Sequence, residues 1–147
     1  MSAGPAESDD VPEGYRLVTH HAAYGRHNGP FYQKDEGTGF VRGFRVLDRH
    51  LNQAGIIHGG MLATFADMVL GQAVRTIVGK RAFTVRLVTD YLGPAQAGDW
   101  LEGRGQVLRQ TRSLAFAEAL LAVGGRRVVK ASGVFRIDAR PNQPAAE

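Results

Sequence analysis

Hydrophobic positions along the chain follow two different periods, and the change between them falls at Gly79. Before it, residues 61–78 are apolar nearly all round, which is typical of a helix buried in a protein core. After it, apolar and polar residues alternate, as they do in half-buried strands. This alternation covers residues 83–92, 100–110, 113–123 and 127–137, and a rougher one covers 39–47. The pattern therefore predicts a strand, one long helix and then about four strands.

Short links separate the four strands that follow the helix. Gly124 and Gly125 form a two-residue hairpin signal, and Gly93 followed by Pro94 marks an earlier turn. Because short links favour antiparallel neighbours, we expect these strands to pair in chain order. The natural packing is an α+β fold in which one antiparallel sheet curls around the helix. Such a sheet has an open edge, so we expect a homo-oligomer.

Both ends of the chain differ in composition from the region between them. Residues 1–13 are rich in Ser, Pro, Ala and acidic residues, and residues 138–147 end in PNQPAAE. We predict a mobile leader over 1–13, a single domain over 14–137 and a mobile tail over 138–147. Aromatic residues mixed with turn formers between residues 15 and 36 predict a short helix followed by a loop.

Composition and charge narrow the classes of function. The 147 residues include no cysteine, which excludes disulfides, thiolate nucleophiles and cysteine-ligated zinc in this chain. The net charge is +4 although residues 1–13 carry four acidic and no basic side chains, so the predicted domain is more basic than the whole chain. This balance favours nucleic acid, an anionic membrane or a phosphorylated small molecule as partner. The N-terminus lacks the pattern of a secretory signal, and we expect a cytoplasmic protein.

Asp67 is the most unusual residue of the predicted helix. It is the only acidic or basic side chain, histidine aside, between Arg49 and Arg75. An isolated carboxylate in an apolar helix is costly unless it is paired, hydrogen-bonded or protonated, and it also argues against a membrane span. We therefore expect Asp67 to be buried and functional. The alternative is a buried side chain that caps a loop or faces a subunit contact.

The segment His58-Gly59-Gly60 stands where the helix is expected to begin. Backbone N–H groups at a helix N-terminus attract negative charge, and glycine allows a carbonyl to come close, so this turn suits an oxyanion hole. The alternative is a flexible entry turn. Asp67 lies eight residues beyond Gly59, about 12 Å along a helix axis. One carbonyl cannot reach both groups of one helix, so the spacing favours composite sites between antiparallel helices of a dimer.

Other chemical motifs are missing from the sequence. The five histidines lack metal-ligand spacing, no G-x-S-x-G surrounds a serine, and there is neither a dinucleotide fingerprint nor a Walker A motif. We therefore expect no metal site. The basic residues of the last three strands form either a solvated face or a phosphate cradle. They are Arg104, Arg109, Arg112, Arg126, Arg127, Lys130 and Arg136.

The spacing Asn52-x-x-Gly55-x-x-His58-Gly59-Gly60, followed by Asp67, resembles that of the hotdog-fold acyl-CoA thioesterases, in particular the phenylacetate-degradation type. The resemblance extends from about Gly39 to Ile137 and includes a strand that ends in Tyr-x-x-Pro-Ala. It implies a hotdog fold and hydrolysis of an acyl- or aryl-CoA thioester without a metal or redox cofactor. It also implies sites at the subunit interfaces of a homodimer or a dimer of dimers, that is, a homotetramer.

The resemblance implies a role for each matching position. Asp67 would activate water as a general base or act as the nucleophile, and Gly59 would donate the oxyanion-hole N–H. His58 and Asn52 would orient the thioester or hold the loop, and Thr84 would help to position water. The residues that we assign to coenzyme A are Gly60, Tyr91, Pro94 and Arg112, the last mainly because of its charge.

Three other functions compete with thioester hydrolysis. Hotdog hydratases and dehydratases use a His and a carboxylate, but their motif contains Phe-Pro where this chain has Gly-Gly after His58. A non-catalytic acyl-CoA-binding module has no need for a desolvated carboxylate at Asp67. A nucleic-acid module requires interleaved aromatic residues or a recognition helix, and the sequence has neither. We therefore expect neither a nucleic-acid nor a membrane partner.

Overall fold

Residues 10–141 are described by the computed structural model of the chain. They form one seven-stranded sheet, two helices and a 3₁₀ turn at Asp48–His50. In chain order the elements are β1 (Arg16–Leu17), α1 (Ala23–Asn28), β2 (Tyr32–Glu36), β3 (Gly39–Arg45), α2 (Gly59–Val78), β4 (Lys80–Tyr91), β5 (Trp100–Gln110), β6 (Leu114–Val123) and β7 (Arg126–Pro141).

The sheet is antiparallel throughout and curls around α2, as predicted for a hotdog fold. Its strand order is β1-β2-β3-β5-β6-β7-β4. The expected pairing of four strands in chain order holds for β5, β6 and β7 but is wrong for β4, which pairs with β7 at the far edge. The link between β4 and β5 crosses the end of the sheet, where Ile57 N–H donates to the Ala95 carbonyl at 2.8 Å. Consequently β5 pairs with β3 instead.

The segment before β3 contains a strand that the sequence pattern did not reveal. α1 is the predicted short helix, but the predicted loop after it includes β2, which pairs with β3 through a turn at Gly37. Phe31 and Tyr32 are buried, and the ring of Tyr32 lies 5.7 Å from that of Trp100. Within β2 only Tyr32 is buried, and the four residues after it are polar or charged, so the strand lacks the alternation by which it could have been recognised.

The predicted boundaries of the domain need adjustment at both ends. Arg45 forms an ion pair of 3.3 Å with Asp10, so the sheet contacts the end of the predicted leader. β7 continues through residue 141, and the first four residues of the predicted tail therefore belong to the sheet. Residues 1–9 and 142–147 of the predicted leader and tail lie outside the described residues.

α2 is the core helix around which the sheet packs. It ends at Gly79, whose φ of 67° is left-handed and whose N–H donates to the Arg75 carbonyl at 2.9 Å. The helix lies so close to β5 that a Cβ at Gly103 would stand 2.7 Å from Val69. On the same helix, Phe65 packs edge-on against Phe44, with 4.7 Å between the two ring centroids. Within residues 10–141, α2 alone is long and apolar enough to cross a membrane, and half of that stretch is buried inside the fold.

Candidate active site

The N-terminus of α2 is capped by the side chain of His58. Its Nδ1 accepts the Gly60 N–H at 2.8 Å, and its carbonyl accepts the N–H groups of Met61 and Leu62 at 2.9 and 3.1 Å. Among the described residues, the Gly59 N–H has no hydrogen-bond acceptor. The first N–H of the helix is therefore free at its positive end, where an oxyanion would be stabilised.

The two glycines at this end differ in what surrounds them. A Cβ at Gly60 would lie 3.0 Å from His58 Nδ1 and would disturb the cap. A Cβ at Gly59 would make only an ordinary contact, 3.5 Å from Tyr91, whose phenol donates to the Gly59 carbonyl at 2.9 Å. Packing within the chain therefore requires glycine at position 60 more than at 59. At position 59, glycine leaves space beside the free N–H for a ligand.

Asn52 shapes the turn that leads into α2. Its side-chain oxygen accepts the N–H groups of Ala54 and Ile56 at 2.9 and 3.4 Å, and its own N–H donates to the Ile56 carbonyl at 2.8 Å. The structure thus places Asn52 in the loop-holding part of its predicted role. Orientation of a thioester by Asn52 or His58 stays a prediction.

Asp67 and Thr84 meet on the flank of α2 that faces β4. The Thr84 hydroxyl donates to Asp67 Oδ1 at 2.6 Å, a short bond of the kind that a charged acceptor makes. The expectation that Asp67 is buried is wrong for the single chain, where it is half-buried and Thr84 is exposed. The reason is that β4 is an edge strand, so within residues 10–141 no further strand lies beyond it on this flank of the helix.

A groove of about 420 Å³ runs past the Asp67–Thr84 pair. Its lining contains no Lys or Arg side chain and consists of Tyr24, Gly60, Ala63, Thr64, Asp67, Met68, Thr84 and Leu87. A cavity of about 450 Å³ elsewhere on the sheet holds none of the predicted site residues. Arg104, one of the basic residues at its border, is already paired with Glu36 at 2.7 Å and Glu102 at 3.1 Å. The groove beside Asp67 is therefore the better candidate for the reaction site.

The predicted coenzyme A residues do not form one cluster within the chain. Tyr91 and Pro94 lie at the N-terminal end of α2, where Arg126 donates to the Pro94 carbonyl at 2.6 Å. Arg112 lies in the turn between β5 and β6 at the opposite end of the sheet. The neighbouring Ser113 carbonyl accepts the N–H of Ile137, which is paired with Ala82 near the start of β4. Arg112 therefore cannot act together with Tyr91 and Pro94 of its own chain.

His50 is a positioning residue that the sequence reasoning missed. It is buried, its Nδ1 accepts the Leu47 N–H at 3.0 Å, and its Nε2 donates to the Asn28 carbonyl at 2.8 Å. Its own carbonyl accepts the His58 N–H at 2.8 Å, so it ties the end of α1 to the cap of α2. In the sequence analysis, His50 is counted only among the five histidines that lack metal-ligand spacing. No group of three or more metal-binding side chains occurs within residues 10–141.

Arg42 and Arg75 bring positive charge to α2. Arg42 is 2% exposed and donates to Gln33 and Gln72, at 3.0 and 3.1 Å, rather than to a carboxylate. Burial lowers its pKa to about 10. Arg75 folds back over Gly71, where a Cβ would lie 3.0 Å from its guanidinium, and burial lowers its pKa while the charge of Asp67 opposes that shift. Arg75 thus brings positive charge near Asp67, without a direct ion pair between them among the described residues.

The fold and this pair of features, a free helix N-terminal N–H and an Asp–Thr pair on the same helix, define a thioesterase of the hotdog class. The sequence profile described as the thioesterase superfamily matches residues 54–130, and the chain belongs to this superfamily. It is 37% identical to "Putative esterase PA0474" of Pseudomonas aeruginosa, over 87% of this chain and 98% of that one. The protein is accordingly a thioester hydrolase.

Two further comparisons cover activity and fold. The chain is 32% identical to mouse acyl-coenzyme A thioesterase 13 over 50% of its own length and 53% of that protein. The structure of the E. coli PaaI protein from the phenylacetic acid degradation operon superposes with a TM-score of 0.75, covering 82% of this chain and 87% of that one. At 22% identity this likeness concerns the fold, and it confirms the predicted hotdog architecture.

Proposed function

We propose that the protein hydrolyses an acyl- or aryl-CoA thioester to a free acid and coenzyme A. The observation that carries this proposal is the Asp67–Thr84 hydrogen bond of 2.6 Å beside an open groove. A carboxylate that is held but still accessible is what activation of water requires. The similarity to an acyl-coenzyme A thioesterase supports the choice of coenzyme A as the thiol.

In the general-base route, Asp67 takes a proton from water as the water oxygen adds to the thioester carbon. Thr84 holds one carboxylate oxygen through its hydroxyl, and this leaves the other oxygen for the water. The Gly59 N–H stabilises the negative charge that develops on the carbonyl oxygen. The C–S bond then breaks, and the thiolate takes the proton from Asp67. In the alternative route Asp67 attacks the thioester carbon itself, the C–S bond breaks and the coenzyme A thiolate leaves; water then hydrolyses the mixed anhydride, which releases the acid, restores the Asp67 carboxylate and supplies the proton that the thiolate takes up.

Two copies of the chain are needed to assemble such a site. Gly59 and Asp67 are eight residues apart on α2, about 12 Å along the helix axis, which is too far for both to reach one carbonyl. Antiparallel pairing of β4 with β4 of a second copy would set the two α2 helices antiparallel. Gly59 of each subunit would then approach Asp67 of the other, giving two sites per homodimer. A dimer of dimers would carry four such sites.

The same two-fold arrangement accounts for the remaining site residues. It brings the β5–β6 turn of one subunit, which carries Arg112, towards the end of the other subunit that carries Tyr91 and Pro94. Arg112 would then meet coenzyme A phosphates across the interface. His58 and Asn52 would keep the oxyanion turn in shape, and Gly60 would keep the cap that leaves the Gly59 N–H free.

The reaction as proposed requires no cofactor. A base, a water molecule and an oxyanion donor suffice for thioester hydrolysis, so neither a metal nor a redox group has a step to perform. The partner is a small acyl-CoA molecule rather than nucleic acid or a membrane, and a cytoplasmic location stays a prediction.

Release of free thiol tests the proposed function. Purified protein is mixed with acetyl-, hexanoyl-, phenylacetyl- and palmitoyl-CoA, and the thiol is followed with Ellman's reagent. We expect release from at least one thioester. A hydratase would change the ultraviolet absorbance of an enoyl-CoA without releasing thiol. A binding module would bind acyl-CoA in calorimetry and release no thiol, and either of these results would overturn the proposal.

A further inference from the structure

Tyr24 of α1 forms part of the groove that contains the Asp67–Thr84 pair, although it lies far from both in the sequence. Tyr24 is 66% exposed, and the apolar residues of the same lining are Ala63, Met68 and Leu87. An aromatic ring at the open side of an apolar groove leaves a large apolar surface that a bound ligand could bury. The absence of Lys and Arg from this lining suits an acyl group rather than coenzyme A phosphates.

Packing of α1 itself does not explain the position of this ring. The six residues of α1 include none that is buried, and the residue before the helix makes no side-chain capping bond. The C-terminal end of α1 is fixed through the Asn28 carbonyl, which accepts a hydrogen bond from His50 at 2.8 Å. The ring of Tyr24 therefore adds little to the core, and its contact with the groove is its main one.

The phenol of Tyr24 holds the ring against α2. The Thr64 hydroxyl donates its single proton to the Gly60 carbonyl at 3.0 Å, so in the 2.8 Å contact between Tyr24 and Thr64 the phenol is the donor. Thr64 lies about one helical turn before Asp67. The hydrogen bond thus fixes an aromatic wall one turn away from the carboxylate, and it uses the polar end of the tyrosine while the ring stays free.

We propose that Tyr24 is the specificity-determining residue of the acyl site. Its ring is the wall against which the acyl chain packs beyond its first carbons, so it favours longer acyl groups over acetyl. This inference rests on the proposed function, because it assumes that the groove beside Asp67 receives the acyl part of a thioester. The physical basis is apolar burial, since each methylene that packs in such a pocket changes selectivity by about 10-fold or more.

Two non-hydrolysable ligands test this proposal without relying on activity. The ethyl and hexyl thioethers of coenzyme A share the nucleotide and differ only in the length of the alkyl chain. We expect Tyr24→Ala to weaken hexyl-CoA binding by about 10-fold or more in calorimetry, and ethyl-CoA binding by less than about 3-fold. Tyr24→Phe keeps the ring and should retain most of the preference for hexyl-CoA. His27→Ala, on the same helix and outside the groove, is the matched control and should change neither affinity.

The outcomes separate this inference from the proposed function. Equal weakening of both thioethers by Tyr24→Ala, unchanged binding of both, or no binding of either to the wild-type protein would overturn the role of Tyr24. A preference for hexyl-CoA that disappears in Tyr24→Ala supports it, whether or not the wild-type protein releases thiol. If the preference is present but no thioester is hydrolysed, the proposed function fails and the acyl site stands. In hydrolysis, the ratio of kcat/KM for hexanoyl-CoA to that for acetyl-CoA should fall by the same factor in Tyr24→Ala.

Discussion

The two edges of the sheet are built in opposite ways. At one edge, β1 has only two residues, and the exposed Arg16–Asp35 ion pair of 3.2 Å borders it. At the other edge, β4 has twelve residues and pairs only with β7. Short charged edge strands discourage pairing with another chain, whereas a long strand with exposed apolar side chains invites it, even though the pairing of β4 with β7 shifts register at Lys80/Ala82 and Thr84/Arg86. The exposed apolar side chains of β4 and the link after it strengthen this contrast: Phe83, Val85, Val88, Tyr91 and Leu92.

This contrast between the edges favours β4 as the place where the proposed second copy would pair. The open edge is also the edge of the active site, since Thr84 of β4 holds Asp67 and Tyr91 of β4 contacts Gly59. A partner on β4 would cover the flank of α2 that leaves Asp67 half-exposed in the single chain. The proposed second subunit at β4 would complete both the sheet and the candidate site, whereas the β1 edge carries none of the candidate site residues.

The largest effect is expected from Asp67→Asn, which removes the base from the open edge. Loss of a general base costs about 10²–10⁴-fold in rate, so kcat for acyl-CoA hydrolysis should fall by that factor. The fold should persist, because the side chain is only half-buried. Thiol release and a circular dichroism melt check both points. Asp90→Asn, which removes a carboxylate of β4 outside the Asp67–Thr84 pair, is the control, and similar losses in the two variants would refute the role of Asp67.

A smaller loss is expected when the partner of that carboxylate is removed. Thr84→Ala deletes the 2.6 Å hydrogen bond to Asp67, and hydrogen bonds to charged groups contribute about 1.5–3 kcal/mol, so kcat should fall by about 10-fold or more. Thr84→Ser keeps the hydroxyl and should recover most of the rate. A serine variant as impaired as the alanine variant would show that the methyl group, not the hydrogen bond, is what matters at this edge.

A direct test of the two edges compares Val85→Lys with Leu17→Lys. Both side chains are largely exposed, at 62% and 52%, but only Val85 lies on the open edge. A lysine placed near its own copy across a two-fold axis meets a like charge, so the dimer dissociation constant should rise at least about 10-fold. Analytical ultracentrifugation measures it. Leu17→Lys should leave assembly unchanged, and weakening by both variants alike would erase the contrast between the edges.

The smallest effect is expected from His21, which lies in the segment before α1. Burial, with a further contribution from Arg42, lowers the pKa of His21 to about 4, and its Nε2 is buried without a partner among residues 10–141. Because an unfolded histidine titrates near 6.5, the folded state is fully stable above that pH and loses stability as the pH falls from about 6.5 to 4. His21→Phe should reduce this acid-induced drop in Tm by a few degrees.

Partial exposure of the His21 ring limits the size of this effect through solvent screening. Melting curves between pH 7 and pH 4 provide the measurement. The dimer dissociation constant of His21→Phe at pH 7 should match that of the wild type, since His21 precedes α1 and is not part of the β4 edge. An identical acid dependence of Tm in both proteins would contradict the assigned pKa.

The local pattern of hydrophobic residues predicted β5 and α2 closely. β5 was predicted over 100–110 as observed, and α2 was placed only two residues short of its start at Gly59. The start was missed because glycine is a poor helix former, whereas the His58 cap compensates for it. The pairing of β4 with β7 escaped prediction because it depends on a link across the end of the sheet, which no local pattern records.

The candidate site was predictable only in part, because some of its contacts join separate segments of the chain and leave no local pattern. The spacing of Gly59 and Asp67 along one helix is local, and it is the basis for predicting both residues and a second copy, which stay predictions. Tyr24 and His50 come from distant segments, and nothing near them in the sequence marks their contacts with α2. The half-exposure of Asp67 likewise follows from the position of β4 in the sheet, not from the helix that carries Asp67.

Subunit complementation tests whether each site takes Asp67 from one copy and Gly59 from the other. Asp67→Asn and Gly59→Val are each inactive by design, and the second should fold because a Cβ at Gly59 meets Tyr91 only at 3.5 Å. The two variants are unfolded together, refolded and assayed, with each refolded alone as control. Random pairing makes half of the dimers mixed, each with one intact and one doubly altered site, so about a quarter of wild-type activity should return. If both variants are folded and dimeric but the mixture stays as inactive as its parents, the site lies within one chain, and the proposal of a site shared between two copies is wrong.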